Sequence, residues 1–116
     1  MKFNDELEKL YFVNCSFSSY YVLSTFNGVS KVGFIKCILS YDILKELLCS
    51  ANPHNNFDVL DLTGNELGED PNLFVKILHG PIVMYKIVKE FILVDNGFDN
   101  NIISLLPSNV FKKIYI

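Results

Sequence analysis

Asn27-Gly28 separates two runs rich in β-branched and aromatic residues, SYYVLSTF and VSKVGFIKCIL, and it constrains the chain more than any other dipeptide. A two-residue Asn-Gly loop matches the type I′ turn of a β-hairpin, because both central residues must take positive φ. The turn predicts that Leu23 faces Val32, Tyr21 faces Phe34 and Phe17 faces Ile38 on one side. The other side pairs Phe26 with Val29 and Tyr20 with Ile35, and sets Val22 beside Gly33. A slip of one residue would exchange the two faces, so the turn sets the register.

The remaining punctuation predicts mixed secondary structure. Asn4 to Tyr11 reads as a short helix, capped by Asn4, with acids in its first turn. Ser40 or Asp42 caps a helix to about Ser50, with Ile43, Leu44, Leu47 and Leu48 as its apolar stripe. Phe57 to Leu62 reads as a strand and Gly64 to Glu69 as a loop. Asp70, Pro71 and Gly80-Pro81 frame a second helix, since Asp caps, Pro suits the first turn and Gly stops it. The run IVMYKIVKEFILVD predicts one long strand or a hairpin near Lys89-Glu90. Asn96-Gly97 is a turn, Asp99 caps a short helix to Leu106, and a last helix or strand follows Pro107-Ser108. No internal repeat is read from the spacing. The expectation is a single α+β domain over residues 1–116, with a mainly antiparallel sheet, a central hairpin and two to four short helices packed on it.

Composition enters where it excludes. Half of the 116 residues are hydrophobic and 16 are aromatic, which is core enough for a folded domain and unlike a disordered chain. The apolar stretch from Leu73 to Val94 is broken by Lys76, His79, Gly80-Pro81, Lys86, Lys89 and Glu90, which argues against a membrane span. The first residues, MKFNDELEKL, are acidic and amphipathic, unlike a signal peptide. A cytoplasmic protein is expected. All ten cations are lysines and the net charge is −3, so no guanidinium fork is present for phosphate or guanine. Nucleic-acid binding is not expected. Cys15, Cys37 and Cys49 have no zinc-ligand spacing and read as small reduced hydrophobes.

The chemical motifs are few. Asp58, Asp61, Glu66, Glu69 and Asp70 put five carboxylates in thirteen residues with no cation among them. A divalent ion held by His54, Asp58 and Asp61 is one reading, but the spacing misses the calcium-loop pattern. On a regular strand Asp58 and Asp61 would also point to opposite faces. No G-x-S-x-G elbow or phosphate loop occurs, and neither His54 nor His79 has an orienting partner by sequence. No catalytic residue, metal or cofactor is assigned. An acid-rich stretch projects a field that speeds encounter with a basic partner. The expected function is therefore a small acidic inhibitor of the immunity-protein or antitoxin type, masking a basic partner such as a nuclease toxin. Its expected contact residues are Asp58, Asp61, Glu66, Glu69, Asp70, Tyr20 and Tyr21. The alternatives are a small metal-dependent enzyme using His54, Asp58 and Asp61, and a phage or accessory subunit self-associating as a homodimer through the hairpin edge.

Overall fold

Leu10-x-Phe12, Val32-x-Phe34, Leu60-x-Leu62, Phe91-x-Leu93 and Ile114-x-Ile116 repeat one apolar alternation, each on or at the end of a strand. In the computed structural model, which describes residues 9–15, 30–49 and 56–116, the strands are β1 (Lys9–Val13), β2 (Lys31–Ile35), β3 (Asn56–Asp61), β4 (Ile87–Ile92) and β5 (Ile114–Tyr115). They form one sheet in chain order, β1-β2-β3-β4-β5, and every neighbouring pair is parallel. Three helices are described, α1 (Tyr41–Cys49), α2 (Pro71–Leu78) and α3 (Asn101–Leu105). Short 3₁₀ turns lie at Leu67–Glu69 and Val83–Tyr85.

This is an α/β architecture, and it overturns the expected α+β domain with a mainly antiparallel sheet. β2 carries the second arm of the expected hairpin, yet both of its edges are occupied by parallel neighbours, β1 and β3. An antiparallel partner has no edge left to pair with. Residues 16–29, including Asn27-Gly28, lie outside the described residues. The expected helix over residues 4–11 is also corrected at its end, because Lys9, Leu10 and Tyr11 belong to β1. The expected long strand from Ile82 is instead a 3₁₀ turn followed by β4.

Sequential parallel strands require a crossover between each pair, and the uniform right-handed sense of such crossovers returns every helix to one face. Val32, Phe34, Leu60, Leu62 and Phe91 of the sheet are accordingly buried in the same core as Ile43, Leu44, Leu47 and Leu48 of α1 and Phe74, Ile77 and Leu78 of α2. Aromatic contacts run along this core: Phe12 stacks on Phe34 at 5.5 Å between centroids, and Phe91 on Phe111 at 4.4 Å. The helix starts follow the sequence signals. Ser40 Oγ accepts from Ile43 N (3.2 Å), Asp70 Oδ1 from Leu73 N (3.1 Å) and Asp99 Oδ1 from Asn101 N (2.9 Å).

A second periodicity lies three residues beyond each alternation, at Cys15, Cys37, Asn65 and Asn96. Asn65 is buried; its Oδ1 accepts from Cys37 N (3.0 Å) and Leu39 N (3.2 Å), and its Nδ2 donates to the carbonyls of Phe34 and Leu62. Asn96 repeats the scheme one level on, accepting from Asn65 N and Leu67 N and donating to the carbonyls of Leu62 and Leu93. Cys37 occupies the same place with a weaker donor, its Sγ 3.4 Å from Phe12 O. Each side chain thus bonds its own turn to the preceding one. Every described residue with positive φ flanks this ladder. Asn14, Lys36, Gly64 and Asp95 precede a ladder position, and Ile38, Glu66 and Gly97 follow one.

The combined pattern is L-x-L-x-x-N/C-x-L with Val or Phe in several leucine slots, and each occurrence contributes one strand to the stacked sheet. The chain therefore does carry an internal repeat, contrary to the sequence reading. Its ladder positions, 15, 37, 65 and 96, lie 22, 28 and 31 residues apart, so no fixed period exists to detect.

Candidate protein-docking site

The L-x-L alternation that buries one face of each strand leaves the intervening residues on the other. Register aligns Tyr11, Gly33, Asp61, Ile92 and Tyr115 in one row across the outer face, and Lys9, Lys31, Val59 and Glu90 in the next. Val13 pairs with Ile35 at the C-terminal ends of their strands. Tyr11, Val13 and Tyr115 are exposed, at 38%, 54% and 36%, so among the described residues no layer covers this side as the helices cover the other. Gly33 is the exception in its row: it is buried because the Tyr11 ring lies over it, in the space that a Cβ would take.

The charged groups of this face are coupled. Burial raises the Tyr11 hydroxyl above its ordinary pKa, and the carboxylates of Asp61 and Glu90 add to the rise. Tyr115 donates to Glu90 Oε1 at 3.2 Å, and Lys113 Nζ stands 5.4 Å from the Tyr115 ring centroid. Asp58 pairs with Lys89 at 3.2 Å, which holds the Asp58 carboxyl below its ordinary pKa. Asp58 and Asp61 do not lie on opposite faces as a regular strand would place them. Two residues, Asp58 and Val59, stand between the buried Phe57 and Leu60, and both of their amides donate to Ser30 O. Lys89 and Glu90 stand in register beside them between the buried Val88 and Phe91 of β4, so the two strands share this two-residue interval.

Charge is sorted along the strand axis. Lys9, Lys31, Lys89, Lys112 and Lys113 stand at or before the N-terminal halves of the strands, with Asp58, while Glu90 falls just past the middle of β4. Past the C-terminal ends come Glu66, Glu69, Asp70, Asp95 and Asp99, all exposed, against one cation among the described residues of these turns, Lys36. Part of this sorting serves the helices, whose N-termini lie at the same edge and favour negative charge. Asp70 caps α2, Asp99 Oδ1 accepts from Asn101 N at the start of α3, and Asp61 Oδ1 accepts from Thr63 N (3.1 Å) and Thr63 Oγ1 (2.5 Å). The carboxylates of Glu66 and Glu69 make no hydrogen bond or ion pair among the described residues, and Glu66 is held in the left-handed region at φ 59°.

Of the contact residues expected from sequence, the structure therefore sets Asp58 and Asp61 on the outer sheet face and Glu66, Glu69 and Asp70 on the adjoining acidic edge. Tyr20 and Tyr21 lie outside the described residues. Sequence reasoning missed Tyr11, Val13, Ile35, Ile92 and Tyr115. Their signal was their position beside or between the apolar residues of each repeated alternation. No cluster of three metal-ligating side chains occurs among the described residues, and His54 lies outside them. His79 is tied to Leu105 O through Nε2 (2.7 Å), joining the ends of α2 and α3. Cys15 and Cys37 are free thiols in ladder positions. No described helix is long and apolar enough to cross a membrane. No protein-family model, curated protein or solved structure matches the chain.

Proposed function

We propose that the chain is a non-catalytic binding domain that docks a basic protein through its outer sheet face and the acidic edge beside it. The observation that carries this reading is an outer sheet face with Tyr11, Val13 and Ile35 on one side of Asp61 and Ile92 and Tyr115 on the other, bordered by five exposed carboxylates and, among the described residues, one lysine. Tyrosines on a rigid sheet lose little side-chain freedom on binding and are common anchors of interfaces. The acidic border gives the partner its sign: cationic residues flanking an apolar strip. An inhibitor of the immunity-protein or antitoxin type, masking a basic enzyme cleft, is the role that fits this chemistry.

The two alternatives fare less well. A metal centre at Asp58 would first have to displace Lys89, which already neutralises that carboxylate. Self-pairing through the expected hairpin draws no support from its second arm, since both edges of β2 are taken by parallel neighbours.

The test is a pair of full-length variants, E66K/E69K and Y115A, used against a partner captured from the native cell on the unmodified chain. Both sites are exposed, so thermal midpoints should hold. Loss of the partner on both variants supports the reading, with association by the charge variant slowed most at low salt. A partner bound equally well by all three proteins overturns it.

A further inference from the structure

On the helical side, a half-open groove between α1 and α2 has a volume of about 540 Å³. Leu73, Ile77, Pro81 and Ile82 supply its apolar wall, and Lys45 and Lys76 stand at its rim. Leu73 and Ile82 are 37% and 38% exposed. The groove follows from the repeat geometry. Tyr41 at the start of α1 donates to Leu67 O (2.8 Å) and accepts from Asp70 N (2.9 Å), which pins α1 to the start of α2. Pro81 and Ile82 then leave the end of α2 and form the far wall.

Two features define what this groove would hold. Its volume lies within the range of small-molecule sites. Its charge is opposite to that of the molecule: two lysines and one carboxylate, Asp42, line the groove of a chain whose net charge is −3. Neither Lys45 nor Lys76 has a carboxylate within ion-pair distance among the described residues. Their ammonium groups remain available to an anion at the rim.

From this geometry we infer that the α1–α2 groove binds a small anionic amphiphile, an alkyl chain on the wall of Leu73, Ile77, Pro81 and Ile82 with its carboxylate between Lys45 and Lys76. The binding is independent of the sheet face proposed above, on the other side of the molecule.

Decanoate titrated into the full-length chain tests this, with binding followed by calorimetry and by methyl NMR of Leu73, Ile77 and Ile82. Saturable one-to-one binding that shifts those methyls is expected. K45Q/K76Q should weaken it about tenfold, the amount two partly exposed ion pairs provide. K45R/K76R should retain it, and decanol should bind both lysine variants and the unmodified chain alike. I82D should abolish binding without unfolding the protein, because Ile82 is partly exposed. The inference is overturned if decanoate does not saturate, if decyltrimethylammonium binds as tightly, or if K45Q/K76Q leaves the affinity unchanged. Attachment to anionic phospholipid vesicles without saturable decanoate binding would overturn it as well.

Discussion

Ile38 is 80% exposed and sits at φ 51°, in the left-handed region where a β-branched side chain crowds its own backbone. The equivalent position one repeat further on is Glu66, and the next is Gly97, where no strain arises. Ile38→Asn keeps a side chain that tolerates this conformation and adds none of glycine's chain entropy. It should raise stability by about 1 kcal/mol, read as a higher urea midpoint at unchanged slope. These strained positions also explain what could be read at this scale. Asn96-Gly97 was legible as a turn because Gly favours positive φ. The structural work of Asn96 was not, since a buried asparagine bonded to its neighbouring turn looks the same in sequence as a loop asparagine. Lys36, Ile38 and Glu66 gave no signal, because nothing in their chemistry asks for the conformation they hold.

Elements were legible where their ends carry specific chemistry. α2 was predicted from Asp70-Pro71 to Gly80, and it runs from Pro71 to Leu78 with Asp70 as its cap. Strand pairing was not legible, because parallel neighbours are joined by contacts far apart in sequence and no local turn reports them. The strongest local signal, Asn27-Gly28, pointed to antiparallel pairing, and burial of the repeated apolar alternation against the helices decided otherwise for β2. Two element contacts can be tested directly. Tyr41→Phe removes a hydroxyl that serves both Leu67 O and Asp70 N, and it should cost about 1–2 kcal/mol with little change in volume. The same substitution should increase amide exchange at Asp70 more than at the start of α3. Between β3 and β4, the Asp58–Lys89 pair is a pH-dependent contact. Its carboxyl has a folded pKa below the ordinary 3.8, so its contribution is present above that value and is lost as pH falls through the folded one. In Lys89→Met, the Asp58 carboxyl should titrate at higher pH by NMR, and the stability difference from the parent should shrink on acidification. A titration unchanged by the substitution would refute the pairing.

At the scale of the whole molecule, a stack of repeats bonded through Cys37, Asn65 and Asn96 should lose stability in pieces. Stacked repeats contact their neighbours and little else, so a broken junction releases the units on one side while the others keep their own interfaces. The junction between β2 and β3 rests on Asn65, whose removal leaves the amides of Cys37 and Leu39 buried without their acceptor. Asn65→Ala should therefore cost about 3 kcal/mol or more, a large share of a small domain's total stability. The cost should be uneven. Hydrogen exchange should accelerate in β1, β2 and α1 by far more than in β4 and α3, where Asn96 still binds Leu62 O and Leu93 O. A domain with one indivisible core would instead lose protection uniformly from β1 to β5, and that outcome would reject the stacked-repeat account of its stability. The proposed docking face depends on the same property. Its row from Tyr11 to Tyr115 spans all five strands, so a partner engaging the whole row would clamp every junction at once. The bound complex of the Asn65→Ala protein should then regain protection in β1 and β2, because only the state with aligned repeats presents the complete row.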